Sequence, residues 1–168
     1  RFAVAHADDA ALPVARSVCA SLRAEGVDAE VVVTGAVGFN MKAAQLARVC
    51  ADSDADVVLN VDSDVDAGGL SLAALVDAFA SDARLAALWQ PAVETDGSTL
   101  GDRASEALLA GSLHAFPVLS ALDPAGLVGK VVALRREALV AVGGFGALTS
   151  HLGEDMELAR RLRAAGLR

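Results

Sequence analysis

Val57-Val58-Leu59-Asn60-Val61-Asp62-Ser63-Asp64-Val65-Asp66 is the stretch on which the fold turns. A short apolar run, of the kind that makes a buried parallel strand, ends abruptly in three alternating carboxylates. In an open α/β sheet, ligands sit at the carboxyl ends of strands. Asp62 and Asp64 are two residues apart, so in extended chain they point the same way. Like charges converging at a strand end are costly unless something positive neutralises them. A divalent cation carrying a phosphorylated ligand fits that requirement. An EF-hand does not: its required glycine would fall on Ala67 and its bidentate glutamate on Ala73.

Working outward, strands and helices alternate. Phe2 to Ala5 reads as a strand running into His6-Ala7-Asp8-Asp9. Pro13 fits a helix first turn, with Val14, Val18 and Leu22 at helical spacing and Gly26 as the stop. Ala29 to Val33 is a second strand. Gly35 and Gly38 make a loop, and Asn40 is a good N-cap for a helix carrying Ala43, Leu46, Ala47 and Cys50. Beyond the acidic turn, Leu72, Leu75, Val76 and Phe79 give another helix stripe, and Leu85 to Val93 a strand. An alanine-rich helix is expected from about Asp102 to Phe116, then a strand from Val128 to Leu134. A short helix ends at Gly143-Gly144, and a last amphipathic helix begins at Glu154-Asp155. This alternation predicts an α/β protein with a largely parallel sheet.

A length of 168 residues suits one domain spanning 1–168, with room for a real core. The chain is 54% hydrophobic with a mean hydropathy of +0.46, so disorder is not expected. The net charge of −8 argues against a nucleic-acid partner, which would favour a basic face. Cys19 and Cys50 read as reduced thiols in a cytosolic setting. No run reaches the ~18 uncharged apolar residues of a spanning helix. The nearest, Ala107 to Leu122, is interrupted by His114 and Pro117.

Each further site candidate carries a plain alternative. Glu154-Asp155 sits where the helix dipole favours ionised carboxylates, and such a group can take a proton from a hydroxyl nucleophile; an acidic pair also starts many helices. The loop Gly35 to Lys42 can hold an anion at a helix start, or simply cap it with Lys42 on the surface. Asp8 and Asp9 can hydrogen-bond a base or ribose, or cap the next helix. His6 and His151 flank candidate loops without metal-ligand spacing, and His114 is expected to be structural or near a lipid surface.

Taken in order, Asn40-Met41-Lys42, Val61-Asp62-Ser63-Asp64-Val65, Gly129-Lys130, Arg135-Arg136-Glu137-Ala138-Leu139, Gly143-Gly144-Phe145 and Gly153-Glu154-Asp155-Met156-Glu157-Leu158 form a recognisable set. The set resembles the GT-A glycosyltransferases of family 2/21 type, and looks closest to the ceramide glucosyltransferase-like branch that includes bacterial hopanoid-linked enzymes. The resemblance implies a Rossmann-like GT-A fold, three-layer α/β/α with a mostly parallel mixed sheet. It implies inverting transfer of a sugar from a nucleotide-sugar, expected to be a UDP-sugar, to a hydroxyl of a lipid-type acceptor. By the family's pattern Asp64 would coordinate Mg²⁺ or Mn²⁺, and Asp62 would second the metal or sit beside the ribose. Asp155 would be the general base, and Lys42 would approach the donor phosphates. The apolar segment Ala107 to Leu122 is expected to line the acceptor or membrane-facing side.

Members of that family begin with a further strand carrying a nucleotide-binding aspartate, and carry a Gln/Arg-x-x-Arg-Trp motif after the final helix. Neither is found here, so the chain is expected to be a soluble excerpt of a protein that works at the cytoplasmic face of a membrane. Two other readings stay open. One is a nucleotidyltransferase, although no Gly-rich signature with Arg and Lys occupies the first loop. The other is a domain that binds nucleotide-sugar without turnover.

Overall fold

A computed structural model describes residues 1–122 and 126–167. Two compact units are distinguished, Arg1–Ala55 with Gly143–Glu154, and Asp56–Val142 with Asp155–Arg168.

In the first unit, β1 (Phe2–Val4) pairs in parallel with β2 (Val31–Val33), Phe2 opposite Val31. Parallel neighbours need a crossover, which α1 (Ala11–Ala24) supplies. Gly26 ends that helix in the left-handed region at φ 84°, and the Val27 amide returns to the Leu22 carbonyl at 2.9 Å. The buried face of α1 is not the expected one. Leu12 and Cys19 are buried, while Val14 and Val18 are exposed. Alanines fill much of this helix, and small side chains leave two stripes almost equally legible. Helix α2 (Met41–Cys50) starts where expected, with the Asn40 carboxamide oxygen accepting from the Ala43 amide at 2.9 Å. A 3₁₀ turn, Phe145–Leu148, adds Phe145 and Leu148 to this unit's core. Both cysteines are free thiols. Burial raises the Cys50 pKa, and the Arg1 charge partly opposes that.

The second unit holds a three-stranded sheet in the order β3 (Val57–Val61), β5 (Val131–Arg135), β4 (Ala87–Gln90). β5 runs antiparallel to both neighbours. Among the described residues the only parallel ladder is therefore β1–β2, and the largely parallel sheet read from the alternation is not what the ladders show. The buried strand is also a different one. β3 is half-buried along its length, whereas Val131 to Leu134 are all buried, because β5 has a strand on each side.

Helix α3 (Leu72–Ser81) is capped by Ser71 and buries Phe79, leaving Leu72 and Val76 exposed. Arg135, closing β5, lies 5.4 Å from the Phe79 ring centroid and donates to the carbonyls of Phe79, Asp82 and Leu85. Helix α4 (Leu100–Leu122) starts two residues before the expected point. Thr99 caps it, with Asp102 returning a carboxylate oxygen to the Thr99 amide at 2.8 Å. That bond, with those from the Thr99 hydroxyl and Ser98, lowers the Asp102 pKa. Expectations for the side chains of Leu113 and His114 fall outside the described residues. The short α5 (Arg136–Ala141) follows β5, and Gly143 turns the chain beyond it at φ 99°. The last helix is α6 (Glu154–Ala164), anchored by Arg161, which donates to the Val142 carbonyl at 3.2 Å.

Leu134 is 1% exposed at the centre of the second unit's sheet. Leu134→Ala is expected to cost about 3 kcal/mol of unfolding free energy, from lost apolar burial plus the cavity left behind, measured by urea denaturation.

Candidate functional site

The ladder between β3 and β5 ends at Val61 opposite Val131. One step further the Asp62 amide donates to the Lys130 carbonyl at 2.9 Å. The acidic turn and the Gly129-Lys130 turn therefore leave the sheet side by side. Lys130 donates to Asp64, and its Nζ lies 4.0 Å from Asp62 Oδ2. The two aspartates thus converge on the Lys130 ammonium, brought there by a turn, in which the Val65 amide donates to the Asp62 carbonyl at 3.1 Å, rather than by extended chain. The Asp64 hydrogen bond raises the Lys130 pKa; burial opposes this, and the charges of Asp64, Asp62 and Glu94 add to it. Asn60 Nδ2 donates to Asp62 Oδ1 at 3.4 Å.

Asp155, on the first turn of α6, is tied to the same corner. Its Oδ2 accepts from the Gly129 amide at 3.0 Å, and its Oδ1 from the Met156 amide at 2.8 Å. Asp62, Asp64 and Asp155 are thereby brought to one dipeptide, Gly129-Lys130. Lys130 and the Gly129 amide are the contributors to which sequence reasoning assigned no role. A Gly-Lys pair just before an apolar run mirrors the acids just after one, and that was the available signal.

Asp64 and Lys130 line an open groove of about 1070 Å³, shared with Gln90, Glu94, Glu106 and Leu109. Among the described residues, Asp62 and Asp155 do not line it. One wall is the loop before α4, where the Gly97 amide donates to Glu106 Oε1 at 2.9 Å. A Cβ at Gly97 would come within 2.9 Å of Glu106 Oε2, so glycine keeps this contact open.

The other site candidates belong to the first unit. Lys42 Nζ lies 3.5 Å from Glu154 Oε1. Asn40 Nδ2 donates to Glu154 Oε2 at 2.9 Å and to the His151 carbonyl at 2.6 Å. Asn40 is buried and every one of these bonds is internal, so the helix-capping reading accounts for the loop's geometry. Asp9 lies one residue before the Ala10 N-cap of α1 and accepts from the Ala11 amide at 2.8 Å, and Asp8 is exposed beside it.

Behind Asp155 on α6, Glu157 is shared by Arg160 and Arg161, each at 2.7 Å. These hydrogen bonds, Arg160 first, lower the Glu157 pKa to about 2. A carboxylate whose folded pKa is depressed stabilises fully above its unfolded value and loses that contribution as pH falls through the folded one. The difference in melting temperature between wild type and Glu157→Gln is therefore expected to be constant above about pH 5 and to close toward pH 2, read from circular dichroism melts.

The family model described as Glycosyl transferase family 21 matches residues 1–168. No curated protein and no solved structure matches the chain.

Proposed function

The chain belongs to glycosyl transferase family 21, hence is a glycosyltransferase moving sugar from a nucleotide-sugar to an acceptor, and from that premise we propose that Asp62, Asp64 and Asp155 form its reaction centre. The reaction proposed is metal-dependent, inverting transfer from a UDP-sugar to a hydroxyl of a lipid-type acceptor, on a GT-A arrangement of sheet and helices. The observation that carries this reading is the convergence of Asp62 and Asp64 on one positive charge, beside the backbone amide that holds Asp155.

The donor set suits Mg²⁺ or Mn²⁺. Magnesium is usually held by one or two carboxylates together with substrate phosphates and water. Among the described residues no group of three or more His, Cys, Asp or Glu is placed to hold a metal. Asp64, with Asp62, would therefore hold the ion jointly with the donor's diphosphate. When bound, the ion neutralises charge developing on the diphosphate leaving group.

The remaining work falls to the chain itself. An acceptor hydroxyl is a weak nucleophile until its proton is taken, and Asp155 is assigned that role. Two backbone amides fix its carboxylate, and each oxygen keeps a lone pair for the incoming proton. Leu109 in the groove lining, with Leu108 exposed beside it, supports an acceptor that is partly apolar. Among the described residues no helix is long and apolar enough to cross a membrane. The assignment of Asp8 and Asp9 to a base or ribose rests on their place after the first strand, and that of Lys42 to the donor phosphates on its glycine-containing loop and the family resemblance.

Sugar transfer or hydrolysis from UDP-glucose, followed as UDP release, tests the assignment. Asp64→Ala and Asp155→Asn are each expected to lower turnover by about 10²-fold or more. Chelation by EDTA is expected to abolish activity, and added Mg²⁺ or Mn²⁺ to restore it. Equal rates for wild type and both variants would overturn the reading. UDP binding without turnover would mark a binding domain instead.

A further inference from the structure

Resting on the metal site proposed above, the geometry points to Lys130 as an exchangeable counter-cation that makes metal binding conditional on the diphosphate: it neutralises Asp62 and Asp64 while the donor is absent and moves onto the diphosphate when ion and donor enter.

Three observations carry this. First, Lys130 already occupies the place a divalent ion needs, bonded to Asp64 and 4.0 Å from Asp62. An ion binding there must displace the ammonium, because the two positive charges repel at such range. Second, the backbone of Lys130 is fixed independently of its side chain. Its carbonyl holds the Asp62 amide, and the next residue, Val131, is buried in the sheet. The side chain is 43% exposed on a flexible four-carbon stem, so the ammonium can swing while its base stays put. Third, the charge around Lys130 leaves a diphosphate little else to meet. The groove that Lys130 lines carries Asp64, Asp66, Glu94, Asp96, Asp102 and Glu106, and among the described residues Lys130 is the one basic side chain lining it. A diphosphate entering that groove is repelled by every charge except Lys130 and the ion.

Ion and diphosphate are therefore coupled through Lys130. Without donor, the ion competes with the ammonium for the aspartates. With donor, the released ammonium gains a phosphate oxygen. Such coupling is reciprocal, so each ligand strengthens the other by the same factor. Lys130 is a donor-binding residue on this account, and its effect on metal affinity has opposite signs in the two states.

The test measures Mn²⁺ affinity by electron paramagnetic resonance and calorimetry, with and without UDP, for wild type, Lys130→Met, Lys130→Arg and Asp64→Asn. Lys130→Met is expected to bind Mn²⁺ alone about tenfold more tightly than wild type, and UDP with Mn²⁺ about tenfold more weakly. Lys130→Arg is expected to return both values toward wild type. A variant that merely damaged the fold would not gain metal affinity. Unchanged or weaker Mn²⁺ binding by Lys130→Met, with binding lost in Asp64→Asn, would overturn the role of Lys130 and leave the metal site standing. Equal Mn²⁺ binding by wild type and Asp64→Asn would instead remove the metal site, and the proposal with it.

Discussion

The register of β3 against β5 is the constraint on which the site depends. Five residue pairs, from Val57 opposite Arg135 to Val61 opposite Val131, fix the two strands antiparallel. Strand side chains alternate with a period of two, so a slip of one residue would send every side chain to the other face. The burial of Val131 to Leu134 penalises any such slip, because β5 has no face on which a polar residue would meet water. With that register held, Asp62 must emerge beside Lys130, and Gly129 must present its amide one residue earlier. The position of the charged residues is thus set by apolar packing along β5.

Each end of β5 carries a cation, and the two are used differently. Arg135 is spread over three carbonyls at the end of α3 and faces the Phe79 ring, a fixed arrangement that suits a planar fork of donors. Lys130 is a point charge on a flexible stem, held by carboxylates alone. A lysine at position 135 would lose the fork that reaches three carbonyls at once. For a chain of net charge −8, a cation lining an acidic groove has more influence than it would on a neutral surface.

Local chemistry was legible in the sequence wherever it is settled within a few residues. Asn40 caps α2, Gly26 ends α1, and the acidic turn follows β3, each because a cap or a stop is decided by its immediate neighbours. Strand direction was not legible. β3 and β5 lie some seventy positions apart in the chain, roughly the separation of Asn60 from Gly129, and nothing in either run states how they meet. The apolar character of β3 suggested a buried central strand, yet its place beside β5 leaves it half-buried. The buried face of α1 was missed for a related reason, since alanine does not discriminate between faces. The role of Gly129 was invisible because it acts through a backbone amide, which every residue but proline possesses.

The pair Glu154-Asp155 illustrates what sequence adjacency conceals. Two acids opening a helix read as one feature, a response to the helix dipole. Successive side chains leave a helix about 100° apart, so neighbours in sequence need not share surroundings. Glu154 spends its carboxylate on Asn40 and Lys42, while Asp155 spends its own on Gly129 and Met156. The dipole argument explains why both positions favour acids but cannot rank them. The ranking comes from partners: Glu154 is paired with a lysine ammonium, whereas Asp155 is held by two neutral backbone amides. On the proposed reading, it is therefore Asp155, not already paired with a cation as Glu154 is with Lys42, that is assigned the acceptor's proton.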